Sequence, residues 1–437
     1  MDEARAGRPP RLMGFFSACA LGVGTMIGAG IFSLSADAAR YAGPGAVLSY
    51  LLAGASAFIL AFNFGHLAAS RPVSGGPYVY IRDSLGIGAA SVAGWQLWLG
   101  MALSASFYAL GFARYLTYFW PGIPEWLTAP GCVLAVAGAN ALGHRAAAFL
   151  QNLSVALLLF VLGGFVAVGV PRVDPAFWSP FFPYGWDGVL AAVPLVFTSY
   201  LGFEMVAQAA GAIANAPRTV PAAMLTSVGV VTLLYTGIIA VSVGIVHHVD
   251  LAGSATPLAE VARRVLGRAG ASAVAAAGLI ATLSSANGVM LASLELGETM
   301  AADGLLPRAL APAPAPATAR HGRFRSSSLR LGAAALVIAT LGTLVGQLEW
   351  LARGVGVLHF LPFSLIPFAV MGRKTGARER RGQGPLLLHW GSGVPLLGLA
   401  VMGFMLRQIN PVDFWVAVGL TVPGVIWFAL RPREPRA

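Results

Sequence analysis

Apolar residues in this chain come in long uninterrupted runs separated by short polar segments, and few of these runs show the one-sided periodicity of a soluble helix. The runs at 42–70, 84–113, 146–171, 221–246 and 269–294 contain no Asp, Glu, Lys or Arg. Each is longer than the ~20 residues that cross the hydrocarbon core of a bilayer. The pattern therefore predicts an all-α integral membrane protein.

The run lengths predict about twelve transmembrane helices. Their approximate limits are 13–39, 46–70, 86–112, 126–142, 150–170, 188–212, 222–246, 271–300, 329–346, 352–371, 385–406 and 414–430. The short polar ends, 1–12 and 431–437, are predicted to lie outside the bilayer on the same side.

Composition and charge agree with this assignment. Hydrophobic residues make up 57% of the chain and charged residues 10%, against about 25% charged in ordinary soluble domains. The net charge of +11 follows the topology, because placing the N-terminus in the cytoplasm puts 20 of the 28 Lys and Arg residues on the inner side. We therefore expect a multi-pass protein of the cytoplasmic membrane, with both termini cytoplasmic and no nucleic-acid partner.

Two apolar runs are interrupted by glycine-rich stretches at matching places in the two halves of the chain. The first is Gly22–Phe32 (GVGTMIGAGIF) and the second is Thr198–Glu204 (TSYLGFE). A broken helix leaves peptide groups without partners, which the bilayer tolerates only where they line a cavity or bind something. A single stretch is also explained by close helix packing, whereas a matched pair indicates the substrate site of a secondary transporter.

The two breaks predict opposite binding chemistry. If the first span runs from inside to outside, Gly28-Ala29-Gly30 begins its outer half-helix and offers N–H groups to a carboxylate. The sixth span runs the other way, so the end of its outer half offers carbonyl oxygens to an ammonium group. The ligand that satisfies both breaks is an α-amino acid zwitterion. The predicted contacts are Ile27, Gly28, Ala29, Gly30, Phe197, Thr198, Ser199, Tyr200 and Leu201.

Four segments, in order and spacing, resemble the motifs of the amino acid–polyamine–organocation transporter superfamily. They are Gly24–Phe32, Ser74–Tyr78, Gly202–Glu204 with Asn215–Pro221, and Ala302–Pro307. The resemblance covers roughly residues 13–310. It implies a LeuT-type fold with discontinuous helices one and six, and alternating access around a central amino acid site. Spans one to five (13–172) and six to ten (187–372) would be inverted repeats, followed by two additional helices in 385–430.

The chain also departs from the pattern of that family. Some proton-coupled members carry a Lys in span five, where this chain has Leu158. An aromatic gate residue of span six corresponds to Thr198, with Phe197 or Tyr200 as substitutes. Proton coupling, sodium coupling and exchange therefore stay open as alternatives.

Glu204 is the charged residue that follows the second break. Because an ionisable residue within a span is costly, it points to function, and we predict that Glu204 binds and releases a proton during transport. The alternative is a hydrogen-bonded carboxylate that ties span six to its neighbours. No metal-ligand spacing, phosphate-binding loop or catalytic triad stands out, so neither a cofactor nor an enzymatic activity is predicted.

The pocket for the substrate side chain is expected to draw on neutral residues of spans three, eight and ten. Met101, Ser104 and Asn287 are the predicted contacts, with Ala105, Ser284, Ser285 and Phe360 as further candidates. This lining favours a neutral amino acid. The sequence thus predicts a secondary active amino acid transporter. A carrier of the same fold for a polyamine or another small organic solute is the alternative, and a non-transporting nutrient sensor is a more distant one.

Overall fold

The computed structural model describes residues 13–73, 75–142, 147–306, 326–374 and 393–431. Within these ranges the regular structure is helical, and the only backbone pairing of the strand type is an isolated bridge between Met13 and Ile213. The predicted ends 1–12 and 432–437, and residues 385–392 of the predicted eleventh span, lie outside the described part.

The described residues form a series of helices. In chain order they are α1 (Phe15–Met26), α2 (Ala29–Ala42), α3 (Ala46–Ser70), α4 (Gly76–Leu85), α5 (Ile87–Phe119), α6 (Glu125–Leu142), α7 (Ala147–Gly169), α8 (Gly185–Phe197), α9 (Met205–Gln208), α10 (Ala216–Ile245), α11 (His248–Ala252), α12 (Pro257–Ala302), α13 (Ser326–Thr343), α14 (Leu348–Lys374), α15 (Gly393–Arg407) and α16 (Pro411–Leu430). Eight stretches of the described chain are long and apolar enough to cross a membrane. Shorter apolar helices fall in other predicted spans.

The predicted spans fall on these helices, and some of their limits differ. The first is divided into α1 and α2, the sixth into α8 and α9, and the third continues seven residues further, to Phe119. The eighth begins at Pro257 rather than near residue 271, because a helical segment that starts after Thr256 joins the membrane helix at a kink. Gly267, with φ 67°, marks that kink.

The packing of the helices has the pairing that two inverted repeats require. Helix α3 packs along α10 and α5 packs along α12, which are spans two with seven and three with eight. The contact of α14 with α5 has its counterpart in the contact of α7 with α12. The contact of α1 with α10 likewise corresponds to that of α8 with α3. The fold is therefore an all-α membrane fold with two five-span repeats, while the boundaries 13–172 and 187–372 stay a prediction.

On the membrane face where the chain begins, the residues before α1 contact the residues after α9. The N–H of Met13 donates to the carbonyl of Ala212 at 3.3 Å, and the N–H of Ala214 donates to the carbonyl of Met13 at 2.9 Å. On the same face, α4 is held to the end of α12 by an ion pair between Arg82 and Asp303 at 2.6 Å.

On the opposite face, a charged network joins the end of α2 to the beginning of α14. Arg40 pairs with Glu349 at 3.2 Å, and the Tyr41 hydroxyl donates to Glu349 at 2.8 Å. Arg353 contacts both Tyr41 and Glu349. Both membrane faces thus carry side-chain ion pairs, and the face where the chain begins has in addition backbone hydrogen bonds between the residues before α1 and those after α9.

Candidate functional site

The first span is interrupted over two residues. Helix α1 ends at Met26, Ile27 is extended with φ −76° and ψ 94°, Gly28 is extended as well, and α2 begins at Ala29. No side chain of the described residues caps the beginning of α2, so its first N–H groups point into the interior as at any uncapped helix N-terminus. The expected half-helix beginning at 28–30 is therefore present.

The second interruption is longer and less regular. Helix α8 ends at Phe197 and passes into a 3₁₀ turn over Thr198–Tyr200. The chain then extends at Leu201 and turns at Gly202, whose φ of 118° is open to glycine but strained for other residues. After α9 the backbone leaves helical geometry again, so the second half of span six is largely unwound.

The two interruptions lie directly against each other. A Cβ added at Gly30 would stand 2.6 Å from the Cα of Ser199, and one at Gly202 would stand 2.7 Å from the carbonyl carbon of Thr25. The Thr25 hydroxyl donates to the Gly202 carbonyl at 2.9 Å. Only hydrogen fits in these places, which is why the backbones of spans one and six can meet.

Side chains from three other helices hold the broken backbone. The hydroxyl of Tyr235 on α10 lies 2.8 Å from the Met26 carbonyl and 3.4 Å from the Ser199 carbonyl, so it bridges both breaks. Ser285 on α12 lies 3.2 Å from the Ile27 carbonyl and is positioned to donate to it. A Cβ at Gly28 would meet the ring of Tyr108 on α5 at 2.6 Å, so that ring packs directly on the first break.

The carbonyl groups of Tyr200 and Leu201 differ from those of Thr198 and Ser199. The Thr198 carbonyl accepts the Leu201 N–H at 3.3 Å, and the Ser199 carbonyl faces Tyr235. No hydrogen bond from the described residues reaches the carbonyls of Tyr200 and Leu201. Of the carbonyl groups at the end of the outer half of span six, those of Thr198 and Ser199 therefore have partners, and those of Tyr200 and Leu201 are open.

The predicted side-chain contacts are distributed unevenly around the breaks. Met101 and Ser104 are buried on α5 and share a helical face with Tyr108, but the Ser104 hydroxyl donates to the Gly100 carbonyl of its own helix at 2.8 Å. Asn287 is half-buried on α12 and, within the described part, makes no hydrogen bond to either break. Ser285, two residues earlier, makes that contact.

Glu204 is buried, with 1% of its surface exposed, and its carboxylate accepts the Gly202 N–H at 2.9 Å. This hydrogen bond therefore lies within span six and stabilises the turn at Gly202. The alternative role given above for Glu204, a carboxylate that ties span six to its neighbours, would require a contact with another span. The carboxyl group thus stands at the second break, among groups shielded from water.

The three candidates for the aromatic gate have different surroundings. The ring of Phe197 packs edge-on against Phe360 of α14, with ring centroids 5.7 Å apart. Tyr200 points away from α14, because its hydroxyl donates to the Tyr50 carbonyl of α3 at 2.8 Å. Thr198 donates to the Ala352 carbonyl at 3.2 Å. The aromatic contact between spans six and ten is thus made by Phe197.

This geometry can be compared with that of known proteins. The model of the amino acid permease family matches residues 13–430. The chain belongs to the amino acid permease family. It is therefore a multi-pass membrane transporter of the amino acid–polyamine–organocation superfamily, and the resemblance of its motifs is confirmed.

Two of the relatives match over nearly their whole length, and a third matches over about half of its own. The branched-chain amino acid permease BcaP of Bacillus subtilis is 30% identical over 94% of this chain and 92% of its own. The methylthioribose transporter of the same organism is 26% identical, with the same coverage. The vacuolar cationic amino acid transporter 4 of Arabidopsis thaliana is 32% identical over 66% of this chain and 52% of its own. The transported solutes in these names thus differ.

Proposed function

We propose that this permease carries neutral amino acids with apolar side chains across the cytoplasmic membrane by alternating access. The single observation that carries the proposal is the meeting of the two interrupted helices, which brings N–H donors and carbonyl acceptors to one place. The name of the relative BcaP supports the substrate class. The excess of basic residues on one side supports cytoplasmic termini.

In the proposed complex, the substrate carboxylate accepts hydrogen bonds from the N–H groups at the beginning of α2, where the helix dipole favours a negative charge. The ammonium group donates to the open carbonyls of Tyr200 and Leu201. The side chain packs among Tyr108, Met101 and neighbouring neutral residues of α5 and α12. Such contacts recognise the backbone of any amino acid, so the side-chain lining determines which one is carried.

A preference for neutral substrates follows from the charges available at this place. A cationic side chain requires a second carboxylate, because the ammonium and guanidinium groups are costly to bury unpaired. Glu204 is the acidic residue beside the breaks, and its carboxylate already accepts the Gly202 N–H. This argument disfavours polyamines as substrates. It also disfavours cationic amino acids, which the name of the Arabidopsis relative gives as its substrates.

Coupling to protons is the second part of the proposal, with sodium coupling and exchange as its alternatives. Protonation of Glu204 would weaken its hydrogen bond to Gly202 and loosen the turn between α8 and α9. The residue is thereby placed to link proton binding to the shape of the central site. No group of three or more His, Cys, Asp or Glu side chains that could hold a metal ion occurs among the described residues. A sodium ion held by backbone carbonyl groups would need no such cluster, so sodium coupling is tested by experiment below.

The test is uptake by the purified full-length protein in proteoliposomes. Radiolabelled leucine is supplied outside, and unlabelled leucine, methionine, alanine, arginine or putrescine competes. We expect competition by the neutral amino acids, and uptake driven by an imposed proton gradient. Competition by arginine or putrescine, without competition by leucine, methionine or alanine, would contradict the substrate proposal. Uptake that follows an imposed sodium gradient alone would contradict proton coupling.

A further inference from the structure

Span eight carries an ionisable side chain that the central site does not use. Glu295 stands on α12 seven residues before this helix ends at Ala302, which places it ~10 Å from that end at the helical rise of ~1.5 Å per residue. A carboxyl group at this depth in a membrane helix is costly to keep. Ionisable residues in such positions almost always face the interior of the bundle, where they mark the paths of ions and protons.

Glu295 lies on the face of α12 that is turned toward the two breaks. Ser285 on this face contacts the first break, and a Cβ at Gly288 would lie 3.5 Å from the Thr25 side chain. Ala292 and Glu295 follow Gly288 at helical spacing, four and seven residues later. The side chain of Glu295 therefore faces spans one and six and not the lipid.

Gln208 connects this face of α12 to the second break. It is buried at the end of α9, one turn after Glu204. Its amide group donates to the Ala292 carbonyl at 3.1 Å and also lies within hydrogen-bonding reach of the Glu295 carboxylate. Glu204, Gln208 and Glu295 thus follow one another from the second break toward the membrane face where the chain begins.

The two carboxyl groups at the ends of this series differ in their access to water. Glu204 is 1% exposed and accepts the Gly202 N–H. Glu295 is exposed, and among the side chains that the structure describes no Lys or Arg pairs with it. An exposed carboxyl group without a cationic partner can exchange its proton with water, whereas a buried one needs a second group to reach the water.

The charged groups around this exposed carboxylate come from few helices. Glu298, one turn further along α12, is the titratable group whose charge reaches it. From α4, Tyr78 and Arg82 both bond to Asp303 instead. Helix α13 packs on α12 and carries Arg330 near its beginning. The parts of α1, α5, α6 and α7 in this half of the membrane contain no Asp, Glu, Lys, Arg or His. None of the described groups therefore holds the carboxylate permanently charged.

We propose that Glu295 is the carboxylate through which protons pass between the central site and the membrane face where the chain begins. The Glu204 carboxyl group gives up its proton, water carries the proton past Gln208, and the Glu295 carboxylate takes it up. One O–H bond breaks and one forms, and the negative charge returns to Glu204. Gln208 holds Glu295 beside the second half of span six. The inference rests on the proton coupling in the proposed function.

The experiment separates the movement of leucine from the movement of protons. The purified full-length protein is reconstituted in proteoliposomes that contain a pH-sensitive dye. Net uptake of radiolabelled leucine, driven by a proton gradient, requires a proton to be bound and released in every cycle. Exchange of labelled for unlabelled leucine at equal pH requires no net proton transfer. Glu295→Gln keeps the volume of the side chain, and Glu295→Asp keeps the acid. Glu260→Gln, on the same helix at the opposite membrane face, is the control.

We expect Glu295→Gln to slow proton-driven net uptake, and the dye signal that accompanies it, at least about tenfold. Leucine exchange should continue in this variant, because the substrate site is untouched. Glu295→Asp should restore part of the net uptake, and Glu260→Gln should behave like the unchanged protein. Normal net uptake in Glu295→Gln would overturn the inference. Equal loss of exchange and net uptake in both Glu295 variants would also overturn it, since that result indicates a structural role.

The inference and the proposed function fail in different ways. Leucine uptake by the unchanged protein that does not respond to a proton gradient contradicts the proposed coupling, and the inference fails with it. Proton-driven uptake that persists in Glu295→Gln contradicts the inference alone and leaves the coupling through Glu204 in place.

Discussion

The unwound backbone of the two interrupted spans is stabilised in different ways. The first restarts as a helix after two residues and exposes the donors of a fresh N-terminus, with its carbonyls held by Tyr235 and Ser285 from other helices. The second passes through a 3₁₀ turn, a glycine turn and a four-residue helix, and is held in part by its own Glu204. The first break is therefore supported from outside, and the second contains an ionisable support within it.

This difference suggests a division of roles. A break held by neutral hydroxyl groups keeps its geometry over a wide pH range, which suits the binding of the substrate carboxylate. A break held by a carboxylate changes when that group takes up a proton, which suits a step coupled to protons. The following variants test this division, in order of decreasing expected effect.

Gly30→Ala should have the largest effect. The added methyl group would stand 2.6 Å from the Cα of Ser199, so backbone rather than a flexible side chain must move. Overpacking of this kind costs up to ~3 kcal/mol, and we expect leucine uptake to fall at least about 100-fold. Gly229→Ala on α10, where nothing lies within 4 Å, is the control and should retain uptake. Retained uptake in Gly30→Ala would show that the breaks need not touch.

Glu204→Gln should remove the proposed proton-binding group from the second break while keeping a side chain of nearly the same size. The amide oxygen can still accept the Gly202 N–H, but only as a neutral acceptor, so the variant stays in the condition proposed for the protonated carboxyl group. We expect uptake to fall by about tenfold and to lose its dependence on pH between about 5 and 8. Glu125→Gln, at the beginning of α6, should leave the pH profile unchanged. A normal pH profile in Glu204→Gln would remove the carboxylate from the coupling step.

Tyr235→Phe should affect both breaks moderately. It removes the hydroxyl that faces the carbonyls of Met26 and Ser199, and a buried hydrogen bond contributes ~1 kcal/mol. The apparent affinity for leucine should weaken about fivefold. Tyr115→Phe is matched, because that hydroxyl donates to the Phe32 carbonyl inside α2, away from the breaks. Equal losses in the two variants would indicate general destabilisation.

Ser285→Ala should have the smallest effect, confined to the first break. Its contact with the Ile27 carbonyl is long, at 3.2 Å, so we expect a reduction in apparent affinity of about threefold with no change in pH dependence. Ser293→Ala, two turns along α12 with a buried hydroxyl that has no partner among the described residues, should leave affinity unchanged. A changed pH profile in Ser285→Ala would contradict the division between the two breaks.

Both breaks could be predicted from their glycines. Gly28, Gly30 and Gly202 stand where a side chain would collide with a neighbouring segment, and glycine in a membrane helix is a signal that can be read from the sequence. The same sequence did not indicate Tyr235 as a support of the breaks, and it suggested Ser285 only as a candidate for the substrate pocket. Tyr235 lies in an apolar run with no local pattern around it, and its role depends on how α10 packs against two distant segments. Tyr108 had a signal, since it continues the face of α5 that carries Met101 and Ser104, one turn further on.

The helix α4 shows the same limit at the level of the fold. The predicted spans 46–70 and 86–112 left residues 71–85 as a connection, yet a helix begins at Gly76 and continues to Leu85. Its contacts are tertiary, since Arg82 pairs with Asp303 more than 200 positions later in the chain. Local composition predicts where a membrane helix stops, but contacts with distant parts of the chain determine whether the connection that follows is helical.

The bridge between Met13 and Ile213 has a mechanical consequence. It ties the start of the chain to the segment just beyond α9, so the portions of spans one and six that lead to this membrane face share backbone hydrogen bonds at their far ends. Neither portion can swing outward alone without breaking those bonds. Any rearrangement that opens this face without breaking the bridge must therefore move both portions together as one rigid unit, which rotates about the two glycine breaks.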